Sequence, residues 1–200
     1  MNSWKTIFLK DENWKGGWSL DEHTTESRLL PDGSFDNKYS ELGGLLYQIK
    51  YQNKKDKIKN IAKKVCDYMK KNIMVTKYLS GIIPTPPSNT NREFQPVLSI
   101  AEEISKELGI QYMKDCLIKI KKTPLMKGIN NSEEKQKIIE GAFKLKNANL
   151  IKNKKILLFD DIYETGITLR EVAKTLKKEG LIQNLYVLTI TKTRSKGVYQ

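Results

Sequence analysis

The stretch "KILLFDDIYETGIT", Lys155 to Thr168, limits the fold more than any other part of the chain. It opens with a continuous apolar run, as expected of a strand covered on both faces. The run ends in two adjacent carboxylates, Asp160 and Asp161. A third acid, Glu164, follows, and then a turn of Thr165, Gly166, Ile167 and Thr168. Leu169, Val172, Ala173 and Leu176 then recur at helical spacing up to a stop at Gly180. "LYVLTIT", ending at Thr191, supplies the next strand. Strand, turn, helix and strand in this order predict a mostly parallel α/β sheet flanked by helices.

In a doubly wound sheet, ligands sit at the carboxyl ends of the strands, which is where Asp160 and Asp161 are expected. The helix beginning near Thr168 turns free N–H groups and the positive end of its dipole toward the preceding turn, and this makes an anion site. Gly166 permits close backbone approach, while Thr165 and Thr168 add hydroxyl donors. Carboxylates repel phosphate, so the neighbouring acids need other partners, either hydroxyl groups or a hydrated Mg²⁺. A ribose phosphate combines all these features, and a pyrophosphate on the sugar would bring its own Mg²⁺.

The remaining sequence frames this motif. Two hundred residues suit one domain with a small appendage. Alternating strand and helix patterns begin near Gly81, so residues 1–75 are expected as an N-terminal cap with helices and residues 76–200 as the core. The first forty residues read as loops and short strands, with "PDGS" a turn. Leu42, Leu45, Leu46 and Ile49 predict one helix; Ile58, Ile61, Ala62, Val65 and Met69 predict a second. "GIIPTP" reads as a short buried strand stopped by prolines, and Ile100, Ile104 and Leu108 mark a helix. "GIQYMKDCLIKI" is expected to be a strand and "KKTPLMKGINNSEEKQK" a mobile basic loop. With Cys66 and Cys116 alone, neither a disulfide framework nor a thiolate zinc site is expected. No apolar run approaches the ~20 residues of a membrane span, and the N-terminus lacks a secretion signal, so a cytoplasmic protein is expected.

"ILLFDDIYETGIT" resembles the phosphoribosyl pyrophosphate (PRPP) motif of type I phosphoribosyltransferases. "IIPTPPSNTNREFQPVLSIAEEISKELG", "KKTPLMKGINNSEEKQKIIEGAF" and the motif itself follow the order of ComF-type proteins, and "KYSELGGLLYQIKYQNK" is similar to the helix upstream in that family. The likeness runs from about Lys38 to Thr191. The family's four-Cys zinc ribbon has no counterpart, its "RGFNQ" element survives only as "NREFQ", and the Arg/Asn pair before "GAF" is replaced by "QKIIEGAF". The resemblance implies a type I phosphoribosyltransferase fold in which Asp160 and Asp161 meet the ribose hydroxyls, directly or through Mg²⁺. Residues Glu164, Thr165, Gly166, Ile167 and Thr168 would wrap the 5′-phosphate, and Thr85, Pro86 and Pro87 would hold pyrophosphate. The segment from Lys119 to Lys137 would close over PRPP, with Lys121, Lys122 and Lys127 as pyrophosphate contacts. The implied activity is Mg²⁺-dependent transfer of a phosphoribosyl group to a nitrogen nucleophile that the sequence does not identify.

Other features have a functional and a plain reading. Glu164 resembles the acid that manages a base proton in the purine-salvage branch, but the plainer reading, an acid favoured by the dipole at a helix start, is preferred. A response-regulator receiver also has paired acids after a strand, but the Thr-Gly-x-Thr turn argues against it. The absence of a G-x-x-x-x-G-K-[ST] pattern argues against a P-loop. His23, the single histidine, suits a surface or capping role. Trp4, Trp14 and Trp18 are expected to cover a sheet edge or a subunit contact, as in a homodimer, rather than to stack bases. Between Lys50 and Lys77 stand ten Lys against two Asp. This face, with the net charge of +13, reads either as a solvated surface or, through the Lys-rich helix 54–71, as a binder of single-stranded DNA. The rival function is therefore a ComF-like DNA-uptake protein that senses PRPP without turnover.

Overall fold

The computed structural model describes residues 4–87, 93–124, 129 and 131–194. In chain order its elements are β1 (Ile7–Phe8), β2 (Gly16–Glu22), β3 (Thr24–Leu29), β4 (Phe35–Tyr39), α1 (Glu41–Tyr51), α2 (Lys57–Asn72), β5 (Gly81–Pro84) and α3 (Pro96–Leu108). There follow β6 (Gln111–Tyr112), β7 (Leu117–Lys119), α4 (Ser132–Ile139), β8 (Phe143–Leu145), β9 (Lys155–Tyr163), α5 (Ile167–Gly180) and β10 (Asn184–Lys192).

Six strands form one sheet in the order β1-β2-β10-β9-β5-β6. Every pairing in it is parallel except the antiparallel β1–β2 edge. The period-2 alternation of β9 divides the core between two layers. Ile156 and Leu158 face Leu169, Val172 and Leu176 of α5. Leu157 and Phe159 face α1, α2 and α3 through Leu46, Ile61 and Ile104. Phe159 is fully buried, and truncating such a residue to Ala typically costs about 3–5 kcal/mol. The α/β architecture with helices on both faces is therefore the one expected.

Local signals set the helix ends. Ser40 caps α1 by accepting the Gly43 N–H at 3.0 Å. Pro96 opens α3 where a missing N–H costs nothing, and Gly109 at φ +66° closes it. Cys66 and Cys116 are buried and free, and burial pushes the Cys66 thiol up to about 12. Among the described residues, no helix is long and apolar enough to cross a membrane.

Four local expectations need correction. The first forty residues hold short strands as expected, but β2 is built into the main sheet as an interior strand, parallel to β10 from Tyr186↔Gly16 to Lys192↔Glu22. Residues expected as part of a cap thus contribute to the main sheet. "GIQYMKDCLIKI" splits into β6, which joins the main sheet, and β7, which pairs antiparallel with β8, because Lys114 and Asp115 turn between them. The expected basic loop contains α4, whose Asn131 side chain caps the Glu133 and Glu134 N–H groups. Residues 125–128 and 130 of that loop lie outside the described residues. Finally, β9 does not stop at the acids but runs on to Tyr163, held on one side by β10.

Candidate active site

From β5 the chain passes through α3 to β6, while from β9 it passes through α5 to β10 on the opposite side. The sheet order reverses between β5 and β9, and a crevice opens where two strands lead away in opposite directions. Prolines widen it. Pairing of β5 with β9 ends at Pro84↔Phe159, followed by a bond from the Thr85 N–H to the Phe159 carbonyl at 2.9 Å. Pro86 and Pro87 have no N–H to continue the ladder. Asp160 and Asp161 therefore sit on a length of β9 that β5 has already left.

The two acids have different surroundings. Asp160 Oδ1 accepts the Asp161 N–H at 2.9 Å, and the Thr85 hydroxyl donates to the same carboxylate. Burial and the adjacent Asp161 charge nevertheless push Asp160 upward, to about 7. Asp161 is buried and takes the Lys50 ammonium at 2.7 Å. Burial alone would lower the Lys50 pKa; the Asp161 carboxylate, by charge and hydrogen bond, reverses this and raises it.

Two cavities flank the acids and share Asp160, Ile162, Thr168 and Pro86. The first, about 290 Å³, lies under the turn and is lined by all of Glu164 to Thr168. Gly166 there adopts φ +75°, and a Cβ on it would strike the Tyr163 ring. The second, about 250 Å³, lies at the N-terminus of α3 and is lined by Lys50, Thr85, Pro86, Pro87 and Gln95. Helix N-termini thus approach the acids from two sides, each with a positive dipole end.

Most sequence-expected residues converge here: Asp160, Asp161, Thr85, Pro86 and the whole turn from Glu164 to Thr168. Lys121 and Lys122 are exposed and line neither cavity. Lys127 lies outside the described residues. Glu164 stands at the rim with its side chain 69% exposed, 3.7 Å from Lys135, rather than in a burying recess. His23 is half-buried and shares a 3.0 Å hydrogen bond between Nδ1 and Thr191 Oγ1. Trp14 is buried and donates from Nε1 to the Leu9 carbonyl just after β1, and Trp18 of the interior strand β2 stacks on Tyr186 of β10.

Four residues escaped the sequence reading. Lys119, on β7, and Lys135, on α4, line the first cavity; Lys135 is buried, and burial lowers the Lys119 pKa. They lie within or beside the basic stretch that also holds Lys121 and Lys122, and only the fold separates inward from outward lysines. Arg170 clamps the turn, donating from Nη2 to the Thr165 carbonyl at 2.8 Å while Nη1 meets Asp11 at 3.4 Å. Lys50 is the fourth; in sequence it is one cation among many on a basic helix pair.

Residues 98–193 match the family model of the phosphoribosyl transferase domain. The matched segment is just under half of the chain. It takes in α3 from its third residue onward, the acids, the turn, α5 and β10. Among solved structures, the chain is similar to glutamine phosphoribosylpyrophosphate amidotransferase from B. subtilis, at 14% identity and TM-score 0.47, over 82% of this chain and 35% of that one. It is also similar to UMP synthase from Leishmania donovani, at 16% and 0.41, over 84% of this chain and 28% of that one. A hypoxanthine phosphoribosyltransferase from Staphylococcus aureus matches at 18% and 0.41, over 71% and 69% of the respective chains. The chain thus spans about a third or less of the first two proteins. No curated protein matches it. The sheet, its flanking helices and the matched segment together make this an α/β phosphoribosyltransferase fold.

Proposed function

We propose that the chain binds PRPP and transfers its phosphoribosyl group to a nitrogen nucleophile, releasing pyrophosphate. One observation carries the reading: two cation-lined cavities at helix N-termini meet at a pair of carboxylates. A molecule with an anionic group at each end and a diol between them suits that arrangement. The turn from Thr165 to Thr168, with Lys119 and Lys135, would take the 5′-phosphate. Asp160 and Asp161 would orient the ribose hydroxyls, and the second cavity would hold the diphosphate beside Thr85 and Pro86. Fixed dipoles and cations at the departing pyrophosphate would stabilise charge as it develops there.

Magnesium fits this site as an ion carried by the ligand. Among the described residues no group of three or more His, Cys, Asp or Glu side chains could hold a metal, and Asp161 is already occupied by Lys50. Asp160 offers the hard oxygen that Mg²⁺ prefers, and the ion would neutralise part of the diphosphate charge. PRPP with Mg²⁺ is expected to raise the melting temperature of the protein, and the Asp160→Asn, Asp161→Asn double variant to remove the effect. An unchanged melting temperature in the unsubstituted chain rules the reading out.

The order of the motifs favours a ComF-like member. The associated DNA-binding reading rests on the exposed Lys54, Lys55, Lys59 and Lys71. Against it, Lys57, Lys63, Lys64 and Lys70 of the same stretch are paired with Asp56, Asp67, Glu41 and Glu107. Half of the apparent cationic face is thereby matched by carboxylate, and the enzyme reading is preferred.

A further inference from the structure

Two adjacent carboxylates are an awkward surface to present to a polyanion. Each repels the ligand and the other, and removal from water strengthens both effects. The chain answers with a cation of its own. Lys50 Nζ lies 2.7 Å from Asp161 Oδ2, with side chains only 18% and 9% exposed. Both residues line the second cavity. Such a pair differs from the other ion pairs of α1 and α2, whose side chains are 37% exposed or more and contribute little by comparison.

The position of Lys50 is firmly set. It belongs to the last turn of α1, beside the fully buried Leu46 and Ile49. The other end of that helix is capped by Ser40. Lys50 comes from outside residues 98–193, so the matched domain does not itself supply the cation beside its acids.

We propose that Lys50 is a specificity-determining residue of the donor site, a built-in monovalent cation that relieves the acid pair of part of its need for a divalent one. This rests on the PRPP reading above. The acid pair and Lys50 together carry one net negative charge when both carboxylates are ionised, so the diol-binding acids keep their geometry before any metal arrives. Binding of PRPP should accordingly persist in the absence of Mg²⁺ and depend on Lys50 when it does.

Calorimetric titration of PRPP in EDTA and in Mg²⁺ tests this with the full-length protein and Lys50→Met. The unsubstituted chain should retain measurable affinity in EDTA. Lys50→Met should lose at least about tenfold there, the scale expected when a buried charge loses its partner, and should recover most of it in Mg²⁺. Lys50→Arg, which keeps the charge, should restore binding in EDTA. The Lys50→Met, Asp161→Asn double variant removes both members of the ion pair and serves if Lys50→Met alone does not fold. It should show no greater Mg²⁺ dependence than Asp161→Asn. Equal Mg²⁺ dependence in Lys50→Met and the unsubstituted chain overturns the proposal, as does loss of all EDTA binding in the latter. Failure of the unsubstituted chain to bind PRPP in either buffer instead overturns the reading of the site itself.

Discussion

The Asp160 carboxylate sits against Asp161, with the Thr85 hydroxyl and one backbone N–H as donors. Its folded-state pKa is raised to about 7 from an ordinary 3.8, first by burial and then by the Asp161 charge. A raised carboxyl pKa means that the folded state resists ionisation. The stability tied to Asp160 is complete below its ordinary value and is lost as pH rises through the folded one. Asp160→Asn is therefore expected to raise the melting temperature near neutral pH, by roughly 2–4 °C for each kcal/mol of strain removed, and to bring little gain near pH 4. Thermal melts across that range check this; a gain independent of pH would assign it to something other than ionisation. A site that stabilises when disarmed is what binding chemistry at a desolvated acid pair implies. Arg170 illustrates a different residue-level device, a cation that holds the Thr165 carbonyl and so fixes the turn.

Among the elements, α1 links the N-terminal region to the acids. Tyr39 of β4 packs on His23 and on Tyr47, and Tyr47 packs on Tyr51, which ties the β3–β4 hairpin to this helix. At the start of α1, a Cβ on Gly43 would run into the His23 carbonyl, whereas one on Gly44 meets only the Tyr39 Cβ, at 3.8 Å. The two neighbouring glycines should therefore respond in opposite directions. Gly43→Ala is expected to destabilise by about 1–3 kcal/mol through overpacking. Gly44→Ala should be neutral or stabilise by up to about 1 kcal/mol through helix propensity. Urea denaturation of both variants measures the difference, and equal effects would show that the helix is not held against the His23 corner. The turn before α5 obeys similar logic, since the Tyr163 ring fills the space that a side chain on Gly166 would need.

For the whole molecule, the decisive fact is that the N-terminal residues supply both an interior strand and a site cation. β2 lies between β1 and β10, and its Leu20 is fully buried in the core with Leu188 and Ile190 of β10. Deleting residues 1–22 would strip β10 of a neighbour and expose a long apolar edge, which invites aggregation. The truncated chain is expected to lose its cooperative thermal transition and most of its soluble yield. A truncated protein that melts as the full chain does would mean that the core closes without β2.

The sequence by itself determined the motif at Asp160 to Thr168, the alternation of strands and helices, and the helical faces of α1, α2, α3 and α5. Each is written in local spacing, where one residue's neighbours four or two positions away decide its fate. It was poorer on β2, on α4 and on the true end of β9. Whether a polar, glycine-bearing stretch such as "GGWSLDE" becomes an interior strand depends on β10, more than 160 residues away. Only tertiary structure could distinguish Lys119 and Lys135 from Lys121 and Lys122, or select Lys50 from the ten lysines of its region. Charge type is a property of the residue, but burial and partnership belong to the packed chain, and Asp161 meets Lys50 only after α1 docks on the sheet.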